Sequence, residues 1–418
     1  MKKIIWVNLI LFYFFNQIIS QQNDSLKFDL PELLVSNDGT KIITANDWEN
    51  KRRNEVLELF ENYEYGKVPA NNVKVKFNIK KEIKNALCGK AVLKEVEAVF
   101  FNDSDSLEMT ILIFLPKLNK PVPIFLGMNF YGNHTIHCDT NISITDSYVP
   151  NNIEFCIFNN KADHLSRGVR SSRWPVERIL ERGYGLATIY YGDVDPDFDD
   201  GFQNGIHKLF YSNKDKSLKD NEWGSISAWA YGLSKAMDYI ETDKNIDKNK
   251  VIVFGHSRLG KTALWAGAKD QRFAMVISNN SGCGGAALSK RIFGEKLSDI
   301  NSNFPHWFCK TFHNYNGKEE NLPFDQNMLI ALIAPRPIYV ASAEKDLWAD
   351  PYGEYLSLYY SAPVYKLYKE EVFDSIKIPE LNEPKLTGKF AYHIRGGGHD
   401  ITKYDWEQYL NFADKHLK

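Results

Sequence analysis

The sequence predicts an α/β fold with a mostly parallel central sheet and helices on both faces, a three-layer αβα sandwich. Two patterns in the 418 residues lead to this prediction. From residue 176 onwards, short apolar runs alternate with segments of helical periodicity, which is typical of βαβ units and a parallel sheet. Some runs, such as 122–128, are almost continuously apolar, as expected of strands that are covered on both faces.

Each element is predicted from its own periodicity, beginning with a helix over 47–65 whose apolar residues recur at helical spacing. The predicted strands are 73–79, 90–101, 107–116, 122–128, 185–191, 251–255, 274–278, 337–342 and 390–394. The further predicted helices are 176–182, 224–240, 259–268, 326–333, 352–360 and 406–416. No repeat or low-complexity linker divides the chain, so we expect one domain over residues 21–418.

The first twenty residues have the composition of a secretory signal peptide. Lys2 and Lys3 precede an apolar run over 4–15, and the small residue Ser20 precedes a polar segment. A basic start, a short apolar core and a small residue at the cleavage point define such signals, whereas a membrane-spanning helix needs about 20 apolar residues. We therefore expect residues 1–20 to be removed and the protein to be exported, periplasmic or secreted, without a membrane attachment.

Charge and cysteine content narrow the classes of partner. Without Lys2 and Lys3, the 51 basic residues become 49 against 53 acidic ones, a net charge of −4. No long basic run occurs, so nucleic acid is not an expected partner. No CxxC motif or His/Cys cluster suggests a metal, and we expect no cofactor.

An odd number of cysteines leaves at least one thiol free, and we favour a disulfide between two of the five: Cys88, Cys138, Cys156, Cys283 and Cys309.
The favoured pair is Cys283 and Cys309, because they flank one segment near the candidate site.

The strongest local motif is the segment 255–261, Gly-His-Ser-Arg-Leu-Gly-Lys, which joins the predicted strand 251–255 to a predicted helix. Such a turn is the nucleophile elbow of an α/β-hydrolase fold, so Ser257 is the candidate nucleophile. The helix N-terminus beside it would favour a developing oxyanion. The familiar motif has glycine two residues after the serine, but here that glycine is the third, Gly260. An isolated Gly-x-Ser could also be an ordinary turn with a capping serine.

A histidine partner appears in the expected chain order, in which the nucleophile comes first, the acid second and the histidine last. His399 follows three glycines, after a predicted strand and before the last helix. The alternative is an exposed histidine in a flexible turn. His256 should point away from the reaction, while His134 and His137 lie in a loop after a strand and are candidates for lining the pocket.

The acid that holds the imidazole is expected in the loop after the predicted strand 337–342. Asp346 is our first choice and Glu344 the second. Asp350 is expected to cap the next helix. At most one of these carboxylates can serve as the acid, so the others are expected to have structural or solvated roles.

These residues resemble carbohydrate esterase family 15, the glucuronoyl esterases, whose nucleophile motif reads G-C/H-S-R-x-G-K. The segment 255–261 fits it, including the displaced glycine, and the stretches 278–295, 322–326, 334–337 and 341–351 are similar to the bacterial branch. The resemblance extends over about residues 45–418 and implies an α/β-hydrolase catalytic domain. Family members cleave esters of (4-O-methyl-)glucuronic acid, including links from glucuronoxylan to lignin alcohols.

The resemblance also implies roles for further residues. Arg258 would stabilise the oxyanion, while Lys261, Glu295 and Trp348 would hold the uronate sugar. In many members the acid is a glutamate in a Ser-Asn-Glu-Ser-Gly stretch, but this chain has Asn280 there. Since an amide cannot supply the charge, this departure again favours Asp346.

The predicted function is therefore that of a secreted serine esterase that hydrolyses (4-O-methyl-)D-glucuronic acid esters, such as glucuronoxylan–lignin links, through a Ser-His-Asp acyl-enzyme mechanism. Two alternatives remain. One is an acetyl-xylan or other carbohydrate esterase on the same fold, since fold does not fix substrate. The other is a non-catalytic polysaccharide-binding protein. We expect a monomer.

Overall fold

The computed structural model describes residues 28–70, 73–211 and 219–418. The expected signal peptide, 1–20, lies outside the described residues. In the part of the chain that is described, no helix is long and apolar enough to cross a membrane.

Ten strands in the described residues form one sheet in the order β1-β2-β3-β5-β4-β6-β7-β8-β10-β9. Six central strands, β5, β4, β6, β7, β8 and β10, are parallel to one another, and the strands towards both edges are antiparallel. The strands are β1 Lys74–Asn85, β2 Ala91–Phe101, β3 Ser106–Pro116, β4 Val122–Asn129, β5 Gly185–Tyr190, β6 Ile246–His256, β7 Met275–Asn279, β8 Ile338–Ala343, β9 Lys385–Thr387 and β10 Phe390–Arg395.

Eight helices accompany the sheet in the described residues, apart from short helical turns. They are α1 Arg53–Tyr63, α2 Val176–Glu181, α3 Ser225–Ile240, α4 Arg258–Lys269, α5 Leu297–Asn303, α6 Gln326–Ala331, α7 Pro351–Leu367 and α8 Lys403–Leu417. A π-helical turn, Trp48–Arg52, leads into α1.

The central strands are buried on both faces, and β6 shows this directly. Its residues Val251 and Val253 belong to the larger apolar core, which contains residues of α1, α3, α4, α6 and α7. Ile252 and Phe254 face the opposite way into a second core under α2 and α8. The three-layer α/β prediction is thus confirmed.

The predicted elements differ from the observed ones mainly at their ends and in two omissions. Helix α7 continues to Leu367, beyond the predicted end at 360, and Pro363 lies inside it. The short α5 and the three-residue edge strand β9 were not predicted. Elements this short contain too few residues to show a period.

The predicted disulfide is wrong. All five cysteines are free thiols, and Cys283 and Cys309 are both buried. Burial raises the pKa of Cys309 to about 11 and that of Cys283 well above its usual value. Both side chains therefore remain protonated and shielded in the apolar core, where they pack as small apolar groups.

Candidate active site

Ser257 stands at a strained turn between β6 and α4. Its backbone has φ 59° and ψ −131°, a conformation that residues other than glycine rarely adopt. Its backbone N–H donates to the carbonyl oxygen of Asn279 at 2.9 Å, which ties the turn to the end of β7. A Cβ atom on Gly255 would lie 1.8 Å from the backbone oxygen of Leu259, so the turn requires glycine there. This is the geometry of a nucleophile elbow.

His399 and Asp346 are hydrogen-bonded to each other. The Nδ1 of His399 lies 2.6 Å from Oδ2 of Asp346, and the histidine side chain is 43% exposed. Burial by itself would raise the pKa of Asp346, but the hydrogen bond and charge of His399 and the Asn280 amide lower it overall. An ionised carboxylate that accepts from Nδ1 leaves Nε2 of the ring available to a substrate or nucleophile.

The other carboxylates near this loop have different surroundings. Glu344 makes no hydrogen bond to His399 in the described structure, although its backbone N–H donates to the carbonyl oxygen of Arg395. Asp350 caps α7, as expected, by accepting from the backbone N–H of Gly353 at 3.0 Å, and it also pairs with Arg291. Of the two candidate acids, the structure places only Asp346 against the imidazole.

Asn280 stands at the position where the family resemblance implies a glutamate in many members. Its Nδ2 donates to Oδ2 of Asp346 at 2.7 Å, so the amide supports the aspartate. The amide N–H stabilises the negative charge of Asp346, whereas the carboxylate of a glutamate at this position would repel it.

Arg258 follows Ser257 and is held by a set of side chains that the sequence analysis did not identify. Its guanidinium pairs with Asp197, whose carboxylate also accepts from Nε2 of His306 at 2.9 Å and Nε1 of Trp307 at 2.6 Å. The guanidinium carbon lies 4.7 Å from the centre of the Trp307 ring. That ring stacks on Phe304 with centroids 3.8 Å apart. Arg258 is thereby fixed by charge and by aromatic faces.

A pocket of about 260 Å³ connects the candidate residues. It is lined by the three candidate triad residues, the four residues with implied oxyanion or sugar-binding roles, and their neighbours: Ser257, His399, Asp346, Arg258, Lys261, Glu295, Trp348, Asn280, Ser281, Gly282, Phe304, Trp307 and Ala349. Seven of the eight predicted site residues therefore converge, and the eighth, the second-choice acid Glu344, does not line the pocket.

The three residues with an implied sugar-binding role differ in exposure. Lys261 is buried, and its ammonium donates to the carbonyl oxygens of Ser281 and Cys283, at 2.6 Å for the latter. A lysine has three N–H donors, so one can serve a ligand. Burial raises the pKa of Glu295, while the positive charge of Lys261 and a hydrogen bond from Trp348 oppose this shift. Trp348 is 54% exposed at the rim of the pocket.

The remaining histidines lie outside this pocket. His134 contacts the hydroxyl of Ser166 at 2.8 Å, and His137 contacts Glu177 at 3.0 Å, so the suggestion that they line the pocket is not supported. His256 does not take the place of the base, since its Nδ1 is bonded to Oδ1 of Asn279 at 2.6 Å. Its ring does, however, lie 4.6 Å from that of His399, centre to centre.

No group of three or more potential metal ligands occurs among the described residues. The chemistry available at the site is that of a hydroxyl, an imidazole–carboxylate pair and a fixed guanidinium. Asp197, His306 and Trp307 were missed because they come from loops far from residue 257 in sequence, and only the fold brings them together.

Comparison with known proteins identifies the family. A model described as glucuronyl esterase, fungi, matches residues 185–368. Carbohydrate esterase MZ0003, from an unknown prokaryotic organism, is 52% identical over 392 residues, which cover 94% of this chain and 90% of that protein.

Two solved structures support the same family assignment. A promiscuous family 15 esterase from a marine bacterial metagenome superposes with a TM-score of 0.88 at 51% identity, over 94% of this chain and 98% of that one. A glucuronoyl esterase from Solibacter usitatus gives a TM-score of 0.87 at 43% identity, again over 94% and 98% of the two chains. The chain therefore belongs to carbohydrate esterase family 15, the glucuronoyl esterases, which are carboxylic ester hydrolases.

Proposed function

We propose that this protein hydrolyses esters of (4-O-methyl-)glucuronic acid through an acyl-enzyme on Ser257. One observation carries the proposal: Ser257, Asp346 and His399 follow the carboxyl ends of the parallel strands β6, β8 and β10 and meet in one pocket with Arg258, Lys261 and Glu295. In an open α/β sheet, ligands bind at this edge. The 43% identical structure from Solibacter usitatus is a glucuronoyl esterase.

In the first half of the proposed reaction, His399 removes the Ser257 proton as Oγ attacks the uronoyl carbonyl carbon. The C–O bond to the alcohol then breaks, and His399 returns the proton to the departing alkoxide. In the second half, His399 deprotonates water, the hydroxide attacks the acyl-enzyme, and the proton passes back to Ser257. Asp346 orients the imidazole and stabilises its cationic form throughout.

Arg258 is proposed to stabilise the negative charge that develops on the carbonyl oxygen. Its backbone N–H lies at the N-terminus of α4, next to the nucleophile, and its guanidinium is fixed by Asp197 and Trp307. Donors that are already in place cost no reorganisation when the charge appears. Asp197 is thus a positioning residue for Arg258.

Lys261, Glu295 and Trp348 are proposed to hold the sugar whose C6 is the acyl carbon. Lys261 lies one helical turn after Ser257, so its ammonium can reach oxygens beside the reacting carbonyl. Glu295 can accept hydrogen bonds from sugar hydroxyls, and the exposed Trp348 ring offers an apolar face. The natural substrate is proposed to be a glucuronoxylan or lignin–carbohydrate ester, reached after export of the protein.

A broader esterase activity is the second candidate. The family 15 relative from the marine metagenome is a promiscuous esterase, and it is 51% identical to this chain. Nothing in the triad itself selects a uronoyl group, so the second candidate function includes acetylated xylan as a further substrate. The sugar-binding residues should then decide the ratio between the two activities.

Parallel assays test the proposal. We expect kcat/KM for methyl 4-O-methyl-glucuronate to exceed that for acetylated xylan by at least about 10-fold, since a few matched polar contacts supply that discrimination. Lys261→Met, which keeps the length but removes the donors, should reduce this ratio mainly by lowering the glucuronate activity. A higher activity on acetylated xylan, unaffected by this substitution, would contradict the assignment and favour an acetyl-xylan esterase.

A further inference from the structure

The loop that carries His399 contains Gly396, Gly397 and Gly398 and follows directly on β10, which ends at Arg395. Glycines have wide backbone freedom and lose the most conformational entropy when ordered. Yet a general base must stand within hydrogen-bonding distance of its nucleophile. The hydrogen bond from His399 to Asp346 restrains the imidazole ring but not the loop, so other contacts have to fix the loop backbone.

Three of these contacts come from Arg395, the last residue of β10. Two others join the loop to its neighbours: the backbone N–H of Lys345 donates to the carbonyl oxygen of Gly397 at 3.0 Å, and the backbone N–H of Gly396 donates to Oδ1 of Asn382 at 3.1 Å. The Arg395 side chain is 4% exposed, and its guanidinium donates to three backbone carbonyl oxygens of the loop. Nη1 lies 3.0 Å from the oxygen of Gly396, and Nη2 lies 3.1 Å from that of Gly398 and 2.5 Å from that of Asp400. The carbonyl groups before and after His399 are therefore both held by one planar group.

Asp405 in turn holds Arg395. Its carboxylate is fully buried, and Oδ2 accepts from Nε of Arg395 at 2.9 Å. The same oxygen accepts from the backbone N–H and the hydroxyl of Thr402, which caps α8, at 2.6 and 2.7 Å. Oδ1 accepts from Nε2 of His393 at 2.9 Å. The guanidinium is thus anchored to both β10 and α8.

A second series of hydrogen bonds leads from Asp405 to the ring of His256, which packs against His399. Its Oδ1 accepts from Nδ2 of Asn279 at 3.2 Å, and Oδ1 of Asn279 accepts from Nδ1 of His256. Because the amide donates to a carboxylate, its oxygen faces His256, whose ring packs 4.6 Å from that of His399. One buried carboxylate therefore supports His399 through its loop and through its ring.

We propose that Arg395, anchored by Asp405, is a positioning residue for the base His399. It fixes the glycine loop so that the imidazole stays in reach of Ser257 while it bonds to Asp346. This proposal rests on the proposed function, because it assigns Arg395 a role only if His399 is the base. It requires the planar fork of arginine, since the point charge of lysine cannot hold three carbonyl groups in fixed directions.

The substitution Arg395→Lys tests the proposal, since it keeps the charge beside Asp405 and removes the fork. We expect kcat to fall about 100-fold, the scale on which a displacement of about 1 Å acts, while KM changes less than about 3-fold. The downfield proton NMR signal of the His399 Nδ1–H should shift or broaden, because the ring would sample several positions. A merely structural role would leave this signal unchanged.

Arg336→Lys is the matched control. Arg336 likewise binds backbone carbonyl groups, in its case the four of Gly267, Asp270, Phe273 and Ile333. It precedes β8, however, and so lies at the amino ends of the parallel strands, whereas the candidate site lies at their carboxyl ends. This substitution should lower the melting temperature and leave kcat and the His399 signal unchanged. An equal loss of kcat in both variants would overturn the proposal, as would wild-type kcat in Arg395→Lys.

If Arg395→Lys does not fold, Asp405→Asn tests the same link more mildly, because its amide oxygen can still accept from Arg395. A lower kcat with an altered His399 signal supports the proposal, and unchanged values of both contradict it. Ser257→Ala separates the two hypotheses. Full activity in that variant overturns the proposed function, whereas an inactive Ser257→Ala beside a fully active Arg395→Lys overturns only the positioning role.

Discussion

At the scale of single residues, the question that the sequence left open was which carboxylate serves His399. The structure places Asp346 at 2.6 Å from Nδ1 and adds the Asn280 amide as a second donor to the same oxygen. A glutamate at position 280, which the family resemblance implies for many members, would supply the charge from the loop after β7. The two arrangements bring a carboxylate to one imidazole from different loops.

Asp346→Asn should reduce kcat by about 10⁴-fold, because the amide can neither stabilise the imidazolium nor fix the correct tautomer. Glu344→Gln, two residues away, should retain activity within about 2-fold, since surface changes without partners have small effects. Both are measured as kcat on methyl glucuronate. An active Asp346→Asn enzyme would rule out this residue as the triad acid.

At the scale of elements, the displaced glycine of the nucleophile motif has a packing explanation. A Cβ atom on Gly260 would lie 3.0 Å from Cβ of Ser281 and 3.3 Å from the carbonyl oxygen of Asn279. Helix α4 therefore approaches the end of β7 at its third residue. Leu259, where the familiar motif has glycine, is instead buried in the apolar core.

The two glycines of this turn should respond differently to alanine. Gly255→Ala places Cβ 1.8 Å from a backbone atom of α4, so the turn cannot form, and we expect little folded protein. Gly260→Ala needs a shift of a few tenths of an ångström, with a cost of about 1–3 kcal/mol for overpacking. Melting temperatures and yields measure the difference. A Gly255→Ala variant as stable as Gly260→Ala would contradict the described turn.

Much of the element pattern could be predicted from sequence, because continuous apolar strands and helical periods are local signals. The edge strand β9 and the helix α5 could not, since they are too short to show a period. The three residues of the proposed triad could be chosen from chain order and from the loop after β8, and the structure brings them to one pocket. Asp197, His306 and Arg395 were not, because their roles depend on contacts between distant loops and on backbone carbonyl groups.

At the scale of the whole molecule, the fold buries several carboxyl groups completely, and two of them, Glu64 and Glu354, affect how stability depends on pH. Burial raises the pKa of Glu64 and of Glu354 to about 8, from a usual value of 4.5. Between pH 4.5 and about pH 8, each of these groups holds a proton in the folded state that it has released in the unfolded chain. Stability therefore falls as pH rises through this window, by at most about 1.4 kcal/mol per pH unit for each group.

Glu354→Gln should reduce this pH dependence. The amide oxygen can still accept from the backbone N–H groups of Ser281 and Gly282, and the amide nitrogen can donate to Ser342, so the contacts persist without a titrating group. We expect the melting temperature to drop less between pH 6 and pH 8 than in the wild type. The exposed Glu58→Gln is the control, and equal drops in all three proteins would contradict the assignment.

The central claim is that Ser257 carries the acyl group, and Ser257→Ala tests it most directly. Release of methanol from methyl 4-O-methyl-glucuronate should fall by about 10⁵-fold or more, as in other hydrolases that lose the nucleophile. A fluorophosphonate probe should label the peptide with Ser257 in the wild type and leave the variant unlabelled. Near-wild-type release of methanol by a folded Ser257→Ala protein would contradict the account.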